Sequence, residues 1–82
     1  MIQTVLKRDG RVVGFNEEKI ATAIRKAMLH TDKGEDLQLI HQITDRISFK
    51  GDSQMTVEAI QDLVEVELMK SSRKDVAQKY IA

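Results

Sequence analysis

A chain of 82 residues forms one domain at most, and folding buries only roughly 60–65 % of the surface that the unfolded chain exposes. It contains no cysteine, which excludes disulfide staples, thiolate metal sites and cysteine nucleophiles. Lys plus Arg and Asp plus Glu both number 13, so the formal net charge is zero and no global attraction to nucleic acid or a membrane surface is indicated.

The first predicted element is a hairpin. Ile2–Lys7 and Arg11–Phe15 are rich in β-branched residues and flank Asp9-Gly10, the pair favoured in a two-residue type I′ loop. That loop pairs Arg8 with Arg11, Lys7 with Val12, Leu6 with Val13 and Val5 with Gly14. Thr4, Leu6, Val13 and Phe15 then form the core face. Val5, Lys7, Val12 and Gly14 form a half-apolar outer face, open to close approach at the glycine.

Asn16 reads as the N-cap of a first helix, with Glu17 and Glu18 in its first turn and Ile20, Ile24, Ala27 and Met28 as its buried stripe. The turn-rich His30–Asp36 separates it from a second helix with Leu37, Ile40, Ile43 and Ile47. Lys50–Gln54 is another break. Met55–Val57 reads as a brief extended stretch or as the lead into a third helix capped by Thr56. That helix carries Ile60, Leu63, Val64, Leu68 and Met69. Ser72 with Asp75 resembles a capping box for a fourth helix carrying Val76, Ala77, Tyr80 and Ile81. The expected fold is α+β and mainly α, a hairpin capping a four-helix bundle. Met1 reads as a true N-terminus. Helix still running at Ala82 makes residues 1–82 read as one domain excised from a longer chain.

Most chemical candidates have a plain structural reading. His30 and His41 fall on different elements and lack the clustering a zinc site needs. Ser48, Ser53, Ser71 and Ser72 lie near helix ends, where hydroxyls cap, and no nucleophile motif surrounds them. Paired carboxylates such as Glu17-Glu18 read as solvated helix faces. No apolar run is long enough for a membrane span or a signal sequence, so a cytoplasmic protein is expected. The basic tip has two readings: spacing alone favours a solvated hairpin tip, and the functional alternative is an anion site. Lys7, Arg8 and Arg11 gather beside a helix N-terminus whose first turn also carries Lys19, a site for polyphosphate without any Walker loop. The other basic residues are interspersed with acids, which argues against a nucleic-acid partner.

The stretch VLKRDGRVVGFNEEKIATAI resembles the opening signature of the ATP-cone family, and MTVEAIQDLVEVELM and DVAQKYIA resemble that family's third and fourth helices. The likeness spans essentially the whole chain. It implies a non-catalytic regulatory module that binds ATP or dATP as allosteric effector, with Mg accompanying the triphosphate, and Met55–Val57 as a third strand. By resemblance Val5 offers backbone groups to the adenine, and Lys7, Arg8 and Lys19 face the phosphates. Asn16 contacts the base, and Thr56 bonds near the ribose or phosphates. A purine stacked on the outer hairpin face beside Gly14 fits this reading. Val13 stands where some members carry a glutamate, and Ile60 where some carry a histidine. The resemblance is strongest to the N-terminal regulatory domain of anaerobic ribonucleoside-triphosphate reductase. It implies the reductase's catalytic domain as partner and association of copies through the cone. Two alternatives stand beside it. One is the cone of a transcriptional repressor of reductase genes. The other is a nucleotide-free assembly module that offers Met55, Met69 and the outer apolar face to a partner.

Overall fold

The Asp9-Gly10 turn fixes the geometry of the first two strands, and only Gly10 within it has positive φ, at +89°. A two-residue type I′ loop needs two such residues. In the computed structural model, which describes residues 1–81, the loop instead has three residues, Arg8 to Gly10. The Lys7 N–H donates to the Arg11 carbonyl at 2.8 Å, and the Gly10 N–H donates to the Lys7 carbonyl at 3.0 Å. β1 (Thr4–Leu6) therefore pairs with β2 (Val12–Gly14) one residue away from the expected register, with Val5 opposite Val13 and Thr4 opposite Gly14. A one-residue slip exchanges the faces of a strand. Val5, only 9 % exposed, takes the core side that was expected of Leu6, while Val13 and Phe15 pack inward as expected.

β3 (Gln54–Thr56) pairs parallel with the other edge of β1, giving the sheet order β2-β1-β3. It begins one residue earlier than Met55. Thr56 both ends the strand and caps the next helix, its Oγ1 accepting from the Ala59 N–H at 3.0 Å. The approach to β3 depends on Gly51. A Cβ there would lie 2.6 Å from Ile2 Cδ1 and 2.8 Å from Met55 Sδ, so a larger residue would require these two side chains to shift.

The helices follow their apolar spacing. α1 (Glu17–Leu29) is capped by Asn16, whose side chain accepts from the Glu18 N–H at 3.0 Å, and it buries Ile20, Ile24, Ala27 and Met28. α2 (Leu37–Lys50) buries Ile40, Ile43, Thr44 and Ile47. Leu37 departs from the expected stripe and is 55 % exposed, at the first helical position after the Asp36 cap. α3 (Val57–Lys70) buries Ile60, Val64 and Leu68. Met69 is exposed, since the inward position beside Leu68 belongs to Glu67, whose buried carboxylate accepts from Arg46 at 2.7 Å.

α4 (Lys74–Ile81) buries Val76 and Ala77, leaves Tyr80 half-buried and exposes Ile81. The expected Ser72–Asp75 box does not form among the described residues. Ser71 Oγ accepts from the Arg73 N–H at 3.1 Å, and the Asp75 carboxylate is held by the Arg73 guanidinium. The expectation of helix at Ala82 lies outside the described residues.

α1 and α3 each pack against both α2 and α4, closing a four-helix bundle. Its centre is Ile24, Met28, Ile43, Ile47, Val64, Leu68 and Val76. Full burial of each large side chain contributes about 1.5–3 kcal/mol. The sheet covers one end through Ile2 and Val5, and the Ile2 N–H donates to the Ser48 carbonyl at 2.9 Å. The fold is thus mainly helical α+β, with hairpin and third strand capping four helices. Among the described residues no helix is long and apolar enough to cross a membrane.

Candidate functional site

The register that turns Val5 inward also creates a concave wall. Between the inner face of the sheet and α1, α3 and α4 lies a cavity of about 230 Å³. Val5, Val13, Ile20, Val57 and Ile60 make its wall largely apolar. Polar groups gather toward solvent. Lys7 continues the inward face of β1 two residues beyond Val5, Lys19 stands in the first turn of α1, and Asn16, Gln61 and Tyr80 join them on the lining.

The nearby cations divide into two kinds. Arg8 donates to Glu58 at 2.6 Å and Arg11 to Asp9 at 2.7 Å. Both carboxyls are held below their ordinary values. For Glu58 the main cause is its own backbone N–H, followed by Arg8. For Asp9 it is the Arg11 backbone N–H, followed by the Arg11 side chain. Such exposed pairs add little stability, but they direct two guanidinium groups away from the cavity. Lys7 and Lys19 have no carboxylate partner among the described residues. Two unpaired ammonium groups beside an apolar hollow suit a ligand with a flat apolar end and an anionic end.

The helix N-terminus contributes less than the sequence suggested. Asn16 already satisfies the Glu18 N–H, and Glu17 and Glu18 in the first turn oppose an anion on the helix axis. Glu17 is turned toward α2, where it accepts from Ser48 Oγ at 3.3 Å. The lysines are the principal anion-attracting groups at the cavity.

Of the residues singled out in the sequence, Val5, Lys7, Asn16 and Lys19 all line this cavity. Arg8 and Thr56 are not on its lining; the first is engaged by Glu58 and the second caps α3. The outer sheet face, expected to receive a purine, carries Leu6, Val12 and Thr4, while the cavity lies on the opposite face. Met55, expected to meet a partner, packs against the core, whereas Met69 is exposed. Val13 and Ile60, the two departures from the family pattern, both line the cavity.

Sequence reasoning missed Gln61 and Tyr80 as lining residues. Gln61 carries no motif. Tyr80 falls on the apolar stripe of α4 and so reads as core. Its phenol is pushed above 10.0, mainly by burial and secondarily by Glu65. His30 and His41 are exposed, and no group of metal-ligating side chains occurs among the described residues.

A comparison with known proteins gives these features a context. Residues 3–82 match the ATP cone domain family. Among curated relatives, the vitamin B12-dependent ribonucleoside-diphosphate reductase of Thermoplasma acidophilum is 42 % identical over 88 residues, covering 99 % of this chain and 11 % of that protein. The ribonucleoside-diphosphate reductase subunits alpha of Chlamydia pneumoniae and Chlamydia trachomatis are each 35 % identical over 91 residues. They cover 98 % and 95 % of this chain and 9 % of each relative. The chain thus spans no more than 11 % of the length of these relatives. The match over nearly every residue, on a fold whose sheet and helices enclose a lysine-rimmed apolar cavity, shows that the chain belongs to the ATP cone domain family.

Proposed function

We propose that this domain binds ATP or dATP as an allosteric effector, with the adenine in the apolar cavity and the phosphates at Lys7 and Lys19. The observation that carries this reading is the pair of unpaired lysines beside an apolar hollow in a chain of this family. At about 230 Å³ the cavity is smaller than the roughly 300–1,000 Å³ typical of ligand pockets. The base and part of the ribose fit inside, and the triphosphate, with any Mg it carries, lies outside near the lysines.

Val5 meets the base from the floor and Asn16 from the rim. Arg8 joins the phosphates only by exchanging Glu58 for them, and Thr56 only with the atoms its cap leaves free. The Val13 and Ile60 side chains offer no hydrogen bond. Among the lining side chains, Asn16, Gln61 and the Tyr80 hydroxyl are left to read the base and the ribose 2′-hydroxyl.

The domain acts by binding rather than by catalysis. Its effector biases the activity or assembly of a cytoplasmic ribonucleotide reductase, through contacts with the catalytic domain and between copies of the cone. The relatives named above are diphosphate reductases, which favours that type over the anaerobic triphosphate reductase suggested by the sequence. Calorimetric titration of the chain with ATP and with dATP tests the reading. Saturable binding of both is expected, and no heat from either at millimolar concentration would overturn it.

A further inference from the structure

Arg8 and Glu58 stand where the hairpin tip meets the start of α3, beside the cavity but off its lining. Lys7 and Val57 line the cavity, and each is followed in the chain by one member of this pair. The backbone N–H and carbonyl of Lys7 both serve to close the loop, which leaves Arg8 as the first residue of the tip. From there its Nε donates to Glu58 Oε1 at 2.6 Å, reaching the first turn of α3. Among the described residues it is the one ion pair that joins the hairpin to a helix.

The two arginines of the tip are engaged differently. Arg11 belongs to the turn itself: its backbone N–H and its Nε both donate to the Asp9 carboxylate, at 3.0 and 2.7 Å. Arg8 is tied through Nε alone to a carboxylate on another element, so the terminal nitrogens of its guanidinium have no protein partner among the described residues. A guanidinium grips a phosphate through a fork of two such donors. The side chains of the pair are 73 % and 51 % exposed, so exchanging the carboxylate for another anion costs little. Glu58 is itself an anion at a helix start, held by its own backbone N–H and by Arg8. A carboxylate held by a guanidinium and a helix-start N–H has the surroundings of a bound phosphate.

We infer that Glu58 is a built-in competitor for the phosphates: it holds Arg8 until a nucleotide binds, and then yields it. The inference rests on the nucleotide reading of the cavity and extends it, because it names a residue that lowers affinity rather than one that supplies it. A binding group that is engaged elsewhere weakens apparent affinity by the fraction of time it is free. For an exposed pair the reduction is about two- to sixfold. Adenosine carries no phosphate and gives Arg8 nothing to exchange for, so the competition acts on the phosphate end alone. When Arg8 changes partner, the tie between hairpin and α3 opens, and the ligand takes the place of the carboxylate.

Calorimetry on four chains tests it: the unmodified chain, Glu58→Gln, Arg8→Ala and the double variant. Glu58→Gln should bind ATP about two- to sixfold tighter, with its affinity for adenosine unchanged. In the Arg8→Ala background the same substitution should bring no gain, because no held arginine remains to be released. Three results overturn the inference and leave the nucleotide site standing. The first is ATP affinity unchanged or lowered in Glu58→Gln. The second is an equal gain with and without Arg8, which would make Glu58 a simple repelling charge. The third is an equal gain for adenosine. Absence of ATP heat in every chain overturns the inference together with the site.

Discussion

Lys7 and Lys19 illustrate how a candidate anion-binding pair arises from two independent local rules. Lys7 points inward because Val5 does, and Val5 does because Gly10 closes a three-residue loop. Lys19 stands beside the cavity because Asn16 starts α1 two residues after β2 ends. Among the described residues neither lysine is drawn off by a carboxylate, in contrast to Arg8 and Arg11. A charge-assisted hydrogen bond contributes about 1.5–3 kcal/mol, so Lys7→Ala or Lys19→Ala should weaken ATP binding by about 10- to 100-fold. Adenosine, which lacks the phosphates, should lose no more than about twofold on the same scale. Calorimetry with both ligands checks this, and equal losses for ATP and adenosine would remove the phosphate role from these residues.

At the scale of elements, the start of α4 carries a pH dependence of its own. The Asp75 carboxyl lies below its ordinary value of 3.8, first because it accepts from the Arg73 side chain and also through the guanidinium charge. A carboxyl whose folded value is depressed favours folding above its unfolded value and loses that contribution as pH falls through the folded value. The contribution is therefore whole near neutrality and is lost progressively as pH falls from about 3.8 through the lower folded value. Urea midpoints measured from neutrality down to about pH 3 should fall less steeply for Asp75→Asn than for the unmodified chain. Parallel curves would show that the Arg73–Asp75 pair does not hold α4.

Elements also differ in how far the sequence disclosed them. The helices were legible because burial follows their 3.6-residue period, and Ile20, Ile24, Ala27 and Met28 are all inside. Leu37 and Met69 escaped that rule through position: one begins its helix, and the other lies next to an inward turn given to Glu67. The hairpin was legible as a hairpin but not in register, since Asp-Gly suits a two-residue loop as well as a three-residue loop with one left-handed glycine. That single-residue ambiguity carried Val5 to the wrong face. β3 has three residues and a distant parallel partner, so local pattern alone could not place it. Of the candidate site, Lys7 and Lys19 were legible from charge and spacing and Asn16 through family resemblance, whereas Tyr80 became a lining residue only once α4 was packed against α1 and α3.

For the molecule as a whole, the sheet and the bundle are two halves of one container. Helix packing supplies the fold's stability, the sheet closes one end, and the cavity occupies the seam where β1, α1, α3 and α4 meet. A ligand in that seam touches elements from both ends of the sequence, from Val5 to Tyr80. Occupancy can therefore bias the arrangement of the whole domain rather than of one loop. The outer sheet face, with Val12 54 % exposed, lies outside this seam. The most direct test of the account is a residue-by-residue amide NMR titration of the chain with ATP. It should shift the signals of Val5, Lys7, Asn16, Lys19, Ile60 and Gln61 together and saturably, with smaller changes at Thr4, Leu6 and Val12 beyond those their pairing transmits. Shifts centred on Val12 and Leu6, with Ile60 and Gln61 unmoved, would place the nucleotide on the outer face and contradict the account.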